Sequence, residues 1–351
     1  MNSFESFLEA LLSAPGLSGY EEPVCNLIAK RWQPLSDEIQ VSRLGSLHAL
    51  RKAAGDGTRP TLMIAAHMDA IGLMVKEISG EFLMVTEMGG VDPRILPGQA
   101  VTVHGSREFP GIVQMIPPRF LPEAIAGKPP TYDTLFVDTG LTPSELKRNI
   151  RVGNIISFAN PPRTLEGGYI TGHSLDNRIS VAALDVCLEE IRNYNLESNV
   201  VFAATSSEEE RANGARTSTF QLMPDLAIAL DVTFAREPGV NDHRSFPLGK
   251  GLSIGVGANN HPALQRRFMD LAAEIDMPYA LEPMPANSGT DAMVMQITAA
   301  GVPTLVLGIP IRYMHTPVEL TALKDIRRAG RLLARFITSL NEETLSGLMK
   351  E

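Results

Sequence analysis

Residues 61–67, TLMIAAH, form a short and continuous apolar run that ends on a histidine. Such a run predicts a strand buried on both faces, as in a parallel sheet covered by helices. Four later segments have the same character: NVVFAATS (199–206), DLAIALDV (225–232), GLSIGVGA (251–258) and TLVLGI (304–309). Helical patterns separate them, which predicts an α/β fold whose mostly parallel sheet has helices on both faces.

Apolar residues recur at helical spacing between and around these runs. The pattern predicts amphipathic helices over about 3–13 and 21–32. Further helices are predicted after Asp176, around 264–272, and over 323–340. Cys25 and Cys187 lie within such patterns and are predicted to be buried free thiols.

Residues 72–165 differ from the rest of the chain. Short β-prone runs (FLMVTEM, AVTVHG, GIVQMI, NIISFA) occur there among many Gly and Pro residues. We predict a small β-rich domain, 72–165, inserted into an α/β domain formed by 1–71 and 166–351. The two ends of an inserted domain lie close together, so His67 and Asp176 on either side of it could share one site.

The composition excludes several classes of function. A formal net charge of −9 argues against binding to nucleic acid or to anionic membranes, since both need a basic surface. No apolar run reaches the length of a membrane span, and the acidic N-terminal segment is unlike a signal peptide. We therefore expect a cytoplasmic protein.

Five fragments carry metal-binding side chains at comparable places. AAHMDAIG, TSSEEE and ALDVT each close an apolar run, GHSLDNR lies where a helix begins, and RYMHTPVE follows the run at 304–309. The carboxyl ends of parallel strands converge on one crevice. Imidazole and carboxylate ligands suit zinc or cobalt, and a carboxylate can bridge two ions. The conjunction predicts a site for two divalent metal ions, with these candidate residues: His67, Asp176, Glu208, Glu209, Asp231 and His315.

Each fragment alone has a plainer interpretation. A histidine after a strand is usually structural, Asp231 could be a turn residue, and a Glu run is typical of a solvated surface. The segment GHSLD (172–176) lacks the second glycine of a nucleophile elbow, so Ser174 is predicted to be a helix N-cap. His173 could reach the site. The other histidines show no partner pattern and are predicted to be surface or loop residues: His48, His104, His243 and His261.

The content and order of the motifs resemble those of the co-catalytic metalloaminopeptidases. This family includes glutamyl aminopeptidases and tetrahedral (TET) aminopeptidases, some of which are named endoglucanases. The similarity covers nearly the full chain. It rests on AAHMDAIGLMV, GGVDPRILPGQAVTVHG, DTLFVDTG with RVGNIISF, GHSLDNR, the Glu pair before Gly-Ala, DVTFAREPGV, SGTDA and RYMHTPVE.

The resemblance implies a division of the ligands between two metal ions. Asp176 would bridge the ions, and His67 and Asp231 would complete the coordination of one of them. Glu209 and His315 would complete the other. Zinc or cobalt is the expected metal, with manganese as an alternative.

The resemblance also implies two roles beside the metals. Glu208 would act as general base and acid, and Asp69 would orient the imidazole of His67. The spacing of the family's Glu pair before Gly214-Ala215 selects Glu208 and Glu209. Three features depart from the common family pattern: Ala70, Ser207 and residues 210–213. They leave every metal ligand in place, so the site should form, but they lie beside the chemistry and therefore bear on substrate preference and on the level of activity.

The expected chemistry is removal of N-terminal residues from short peptides by a water that two metal ions activate. A dinuclear amidohydrolase or deacylase of small acylated substrates is an alternative. A non-catalytic peptide-binding or metal-binding protein is another, although binding alone would not need Glu208. An endoglucanase would need a sugar cleft lined by aromatics, and a chain with one Trp and 6% aromatic residues does not favour that name.

The resemblance finally implies self-association. The inserted domain would join two copies, and six dimers would close into a hollow tetrahedral dodecamer. A lid or a solubility module on a monomer or dimer is the alternative role for the insertion. The preferred N-terminal residue is not readable from the sequence.

Overall fold

The computed structural model describes residues 3–55, 57–240 and 242–350, and its elements are numbered here in chain order. The helices are α1 Phe4–Ser13, α2 Glu22–Trp32, α3 Glu123–Ala126, α4 Pro143–Asn149, α5 Leu175–Glu190, α6 Asn213–Leu222, α7 Pro262–Glu274, α8 Ala292–Gln296, α9 Leu323–Thr338 and α10 Glu342–Lys350. The strands are β1 Glu38–Val41, β2 Leu47–Arg51, β3 Thr61–His67, β4 Gly72–Ser79, β5 Phe82–Met88, β6 Ala100–His104, β7 Glu108–Met115, β8 Leu135–Asp138, β9 Ile155–Phe158, β10 Arg163–Leu165, β11 Tyr169–Gly172, β12 Asn199–Thr205, β13 Leu226–Phe234, β14 Leu252–Gly257, β15 Tyr279–Met284, β16 Thr304–Ile311 and β17 Glu319–Ala322.

An eight-stranded sheet organises most of the chain, in the order β1-β2-β12-β3-β13-β16-β14-β15. Its centre is parallel, since β12, β3, β13 and β16 run in one direction. Antiparallel pairs occur on both sides, at β1-β2-β12 and at β16-β14. The prediction of a mostly parallel sheet in an α/β fold is confirmed.

Helices cover both faces of this sheet, which explains the unbroken apolar run of β3. Leu62 and Ile64 belong to a core shared with α1, α5, α7 and α9. Met63 and Ala65 belong to a second core on the opposite face, with α6 and α8. Residues 62–67 are all buried, so the strand has no solvated face that would require alternating polar residues.

Residues 72–158 contain a closed barrel with the strand order β4-β5-β8-β7-β6-β9. Alternate side chains fill its interior, among them Leu73, Val75, Leu83 and Val85. The barrel follows β3 directly and leads back to α5 through β10 and β11. β10 pairs with β11, and β11 with β17, in a separate three-stranded sheet. The predicted end of the insertion at residue 165 stays a prediction.

The predicted helices are present, with small shifts at their ends. α1 and α2 match the segments predicted at 3–13 and 21–32, and α9 ends at Thr338 rather than at 340. Cys25 and Cys187 are buried free thiols, as predicted. Within the described ranges, no helix combines the length and the apolar character that crossing a bilayer requires.

Candidate active site

Three neighbouring parallel strands bring most of the candidate residues to one edge of the sheet. His67 ends β3 and pairs with Thr205, which ends β12. Glu208 and Glu209 follow β12 in the next loop, and Asp231 lies in β13 on the other side of β3. Because these strands are parallel, their carboxyl ends meet, and side chains far apart in sequence become neighbours.

Asp176 lies between the two histidines and faces each of them with a different oxygen. Its Oδ1 is 3.2 Å from Nε2 of His67, and its Oδ2 is 3.4 Å from Nε2 of His315. The residue occupies a non-helical kink at the start of α5, with φ −76° and ψ 106°. A carboxylate that directs its two oxygens at two separate imidazoles is suitably arranged to bridge two cations.

The remaining carboxylates divide between the two histidines. Asp231 Oδ1 and Glu208 Oε2 lie 3.7 Å and 3.8 Å from Nε2 of His67. Glu209 Oε2 lies 3.6 Å from Nε2 of His315. All six candidate side chains therefore form one cluster, with an imidazole on either side of the central aspartate.

Asp69 connects His67 to the loop of the glutamate pair. Its Oδ1 lies 3.4 Å from Nδ1 of His67 and accepts the backbone N–H of Glu208 at 3.0 Å. Its Oδ2 accepts the N–H of Glu209 at 3.2 Å and the hydroxyl of Ser18 at 2.6 Å. Burial opposes ionisation, but His67 and these donors hold the pKa of Asp69 below its ordinary value. An ionised Asp69 thus orients the imidazole of His67 and holds the backbone of both glutamates in place.

Glu319 was not among the predicted site residues, yet it holds two of them. Its Oε2 accepts the N–H of Asp176 at 3.0 Å, and its Oε1 accepts the N–H of His315 at 2.9 Å. His315 has a left-handed backbone, φ 60°, and its Nδ1 lies 3.0 Å from the carbonyl oxygen of Gly90. A Cβ added at Gly90 would lie 2.8 Å from that nitrogen, so glycine permits the approach. The only sequence signal for Glu319 was its place at the end of RYMHTPVE.

Asp291, in the SGTDA motif, is a second buried acid that sequence reasoning left without a role. Its Oδ2 accepts the hydroxyl of Thr205 at 2.5 Å, and its Oδ1 has no partner in the described part of the chain. Burial raises the pKa of Asp291 to about 6. Its charge acts on Glu208 and Asp231, so it adds to the negative potential behind the cluster.

The cluster holds more acids than bases in a buried volume. Burial raises the pKa of Glu208 to about 10 and that of Glu209 to about 8, and the neighbouring carboxylates act in the same direction. The hydrogen bond to Asp176 raises the pKa of His315 to about 10. Two imidazoles cannot balance four ionised carboxylates at these distances. The arrangement therefore favours bound positive charge.

His173 does not reach the cluster. Its ring packs edge-on against Phe158 of the barrel, with centroids 5.2 Å apart, and it does not line the cavity into which the cluster opens. Ser174 occupies the N-cap position of α5, as predicted, but its hydroxyl makes no capping bond and its φ is 67°.

The prediction that His48 is a surface or loop residue is wrong. His48 lies in β2, is 4% exposed, and has its Nε2 2.8 Å from the hydroxyl oxygen of Ser218 in α6. His104 is also a strand residue, half-buried, with its Nε2 2.8 Å from the hydroxyl oxygen of Ser157. His243 is exposed in a loop, and His261 precedes α7.

The cluster opens into a cavity of about 470 Å³. Beyond the charged groups, its wall is formed mainly by Val232, Phe234, Met284, Met293 and Met314. A larger open groove of about 1060 Å³ is lined by Ser207, and none of the six candidate side chains lines it. The smaller cavity is the candidate active site because the ionisable groups converge there.

Comparison with known proteins agrees with this fold. A model of the M42 glutamyl aminopeptidase family matches residues 45–332. A lysyl aminopeptidase of Pyrococcus furiosus is 35% identical over 342 residues, which cover 95% of this chain and 96% of the relative.

Solved structures extend the similarity to three dimensions. A TET aminopeptidase from the marine sediment archaeon Thaumarchaeota archaeon SCGC AB-539-E09 has a TM-score of 0.91 and 30% identity, covering 98% of both chains. The TET1 peptidase of Pyrococcus horikoshii, which can assemble into a tetrahedron or a large octahedral shell, has a TM-score of 0.84 and 27% identity, covering 96% of this chain and 100% of the other. The resemblance inferred from the motifs is thus confirmed, and the chain belongs to the M42 glutamyl aminopeptidase family of hydrolases.

Proposed function

We propose that the protein removes N-terminal residues from short peptides with a water activated by two divalent metal ions. The observation that carries the proposal is the position of Asp176, whose two oxygens face two different imidazoles at 3.2 Å and 3.4 Å. Asp176 would be shared by both ions. His67 and Asp231 would complete one site, and Glu209 and His315 the other.

The donor set fits such ions. Imidazole nitrogens and carboxylate oxygens suit zinc, cobalt or manganese, and ligand atoms of His67, Asp176 and Glu209 lie within 4.8 Å of one another. Glu209 Oε1 is buried without a hydrogen-bond partner among the residues that the structure describes. A buried acceptor without a donor is costly unless a cation or a proton satisfies it.

When bound, the ions supply Lewis acidity, which polarises a peptide carbonyl and lowers the pKa of a water. The chain itself supplies the proton transfer. We assign this role to Glu208, which lines the cavity and whose N–H is held by Asp69. Its carboxylate would accept a proton from the attacking water and deliver it to the departing amine.

The acidic cluster also accounts for a preference for free N-termini. A protonated α-amino group is attracted to clustered carboxylates, and a neutral one can bind a metal ion through its free electron pair. An acetylated amine is neutral and has no such electron pair. A deacylase would act on the acetylated amine instead, and a peptide-binding protein would release its ligand unchanged.

Hydrolysis of a matched peptide pair tests the proposal. The metal-loaded protein should cleave trialanine from its free N-terminus and leave N-acetyl-trialanine intact. Chelation should abolish cleavage, and zinc, cobalt or manganese should restore it. Deacetylation, cleavage of the acetylated peptide at an internal bond, or activity that persists after complete metal removal would contradict the assignment.

We further propose that the barrel joins two copies of the chain and that the dimers close into a tetrahedral dodecamer. Phe82 and Ile112 are 38% and 51% exposed and both pair with Asp138 of the strand between them, so two exposed apolar side chains flank Asp138 on the outer surface. Phe120, 67% exposed, adds to the apolar surface of this domain. The assembly of the Pyrococcus horikoshii relative supports the same occupant, a second copy.

Light scattering tests the assembly. The metal-loaded protein should have the mass of twelve chains, and Ile112→Asp should shift it toward smaller species. A monomer at micromolar concentration, or an Ile112→Asp variant with unchanged mass, would contradict a role for this surface.

A further inference from the structure

The wall of the active-site cavity contains one acid that the proposed chemistry does not use. Glu282, in β15, lines the same cavity as the metal cluster. The same cavity wall also contains five apolar side chains: Val232, Phe234, Met284, Met293 and Met314. Among the carboxylates that line this cavity, Glu282 alone has no part in the proposed metal site, so its presence requires an explanation.

The sheet register shows how Glu282 reaches this position. Asp231 of β13 pairs with Gly308 of β16, and Gly308 pairs with Ser253 of β14. Side chains at alternate positions point to one face, so Thr233 lies on the same face as Asp231 and Ser253. This is the face of α6 and α8, which Met284, two residues after Glu282, also contacts. The acid, the two hydroxyl groups and the metal-binding aspartate thus share one side of the sheet.

Gly308 leaves room for the two side chains that bond the acid. A Cβ added there would overlap the Ser253 hydroxyl and lie 2.9 Å from Cγ2 of Thr233. Because the side chain is missing, the two hydroxyl groups can turn toward Glu282. Thr233 donates to its Oε1 at 2.8 Å, and Ser253 donates to its Oε2 at 2.6 Å.

The charge of Glu282 has no counterpart in the structure. No ion pair joins it to a lysine, arginine or histidine in the described ranges, and both of its donors are neutral hydroxyls. Burial raises the pKa of Glu282, although the hydrogen bonds from Ser253 and Thr233 lower it. Each carboxylate oxygen accepts one bond and keeps a second lone pair. Arg211 also lines the cavity, but it is exposed and makes no ion pair with Glu282.

We propose that Glu282 selects peptides whose N-terminal residue is lysine or arginine, by receiving the cationic end of that side chain. This inference rests on the proposed aminopeptidase function and names its substrate class. The Met and Phe side chains of the wall would contact the aliphatic stem, and the remaining lone pairs of the carboxylate would accept hydrogen bonds from the cation. Thr233 and Ser253 are positioning residues, since they act through Glu282.

The experiment compares Lys-Ala-Ala with norleucine-Ala-Ala, because norleucine has the stem of lysine without its charge. For the metal-loaded wild-type protein, kcat/KM for the lysyl peptide should exceed that for the norleucyl peptide by about tenfold or more. Glu282→Gln keeps the shape and removes the charge, so it should lower this ratio by about tenfold, with the loss concentrated in the lysyl peptide. Glu166→Gln, an exposed change outside the cavity, is the matched control and should leave the ratio unchanged.

Ser253→Ala provides an independent variant, because Ser253 does not line the cavity. It should lower the same ratio by a smaller factor, and its circular dichroism should match the wild type. A wild-type ratio near one, or a ratio that Glu282→Gln and Ser253→Ala both leave unchanged, overturns the inference. If Glu282→Gln fails to fold, the wild-type ratio together with Ser253→Ala still tests the inference. Hydrolysis of norleucyl peptides without lysyl preference would refute only the role of Glu282, whereas no hydrolysis of either peptide would refute the proposed function.

Discussion

Replacing Glu319 by glutamine should weaken metal binding although Glu319 is not a candidate ligand. Its two oxygens accept the N–H groups of Asp176 and His315 at 3.0 Å and 2.9 Å, and it is 1% exposed. A glutamine offers one acceptor oxygen and turns an NH₂ group toward the other N–H. One of the two hydrogen bonds is therefore lost, and two donors are opposed.

The expected magnitude follows from those two contacts. Leaving a buried N–H without its acceptor costs about 1–3 kcal/mol, and about 1.4 kcal/mol corresponds to a factor of ten in affinity. If all of this free energy is lost from the positioning of Asp176 and His315 as ligands, the dissociation constant for metal should rise by about ten- to a hundredfold. Replacement of other groups that orient metal ligands has effects of this size.

Competition with a chromophoric chelator, with cobalt as the metal, would measure this change. Glu237→Gln is the matched control, because Glu237 accepts a longer bond, 3.4 Å, from the N–H of Tyr313 in the same loop as His315. Glu319→Gln should bind metal more weakly, while Glu237→Gln should resemble the wild type. Equal affinity in all three proteins, with unchanged thermal unfolding, would refute the reasoning.

Three further predictions concern the cluster and the core. Asp176→Ala should lower the metal content from about two ions per chain to less than one, because the shared ligand is lost; unchanged elemental analysis would contradict a bridging role. Glu208→Gln should retain metal and lose turnover by about a hundredfold or more, whereas Glu209→Gln should lose metal first and regain activity in excess metal; the reverse pattern would show that the roles are interchanged. His48, whose pKa burial lowers to about 4, takes up a proton on unfolding between about pH 6.5 and pH 4, so stability should fall as the pH drops through that window, by up to about 3 kcal/mol. His48→Gln, which can still bond Ser218, should flatten this dependence in urea unfolding, and parallel curves for the two proteins would disprove it.

The main sheet and the positions of the candidate ligands could be predicted because they depend on local sequence. A strand covered by helices on both faces must be apolar throughout, so TLMIAAH predicted β3 with its bounds, Thr61–His67. Parallel neighbours bring their carboxyl ends together, which is why His67 and Asp231 could be expected to meet. The roles assigned to them remain predictions.

The same local reasoning failed where a polar residue finds its partner at a distance. His48 was predicted to be exposed, but Ser218 lies 170 residues later and meets it in the interior. The pairing of β10 with β11 likewise could not be read from the composition of that region.

The sequence by itself determined which chemical groups end each strand, because hydrophobic periodicity and strand polarity are properties of neighbouring residues. Only the tertiary structure decided which atoms face one another. Glu319 holds Asp176 from 143 residues away, and Glu282 reaches Thr233 across two intervening strands because Gly308 leaves room. Such contacts depend on register and on the space between side chains. A single hydrogen bond between distant segments leaves no period in the sequence, so the acids that organise the candidate metal site and line its cavity became visible only in the fold.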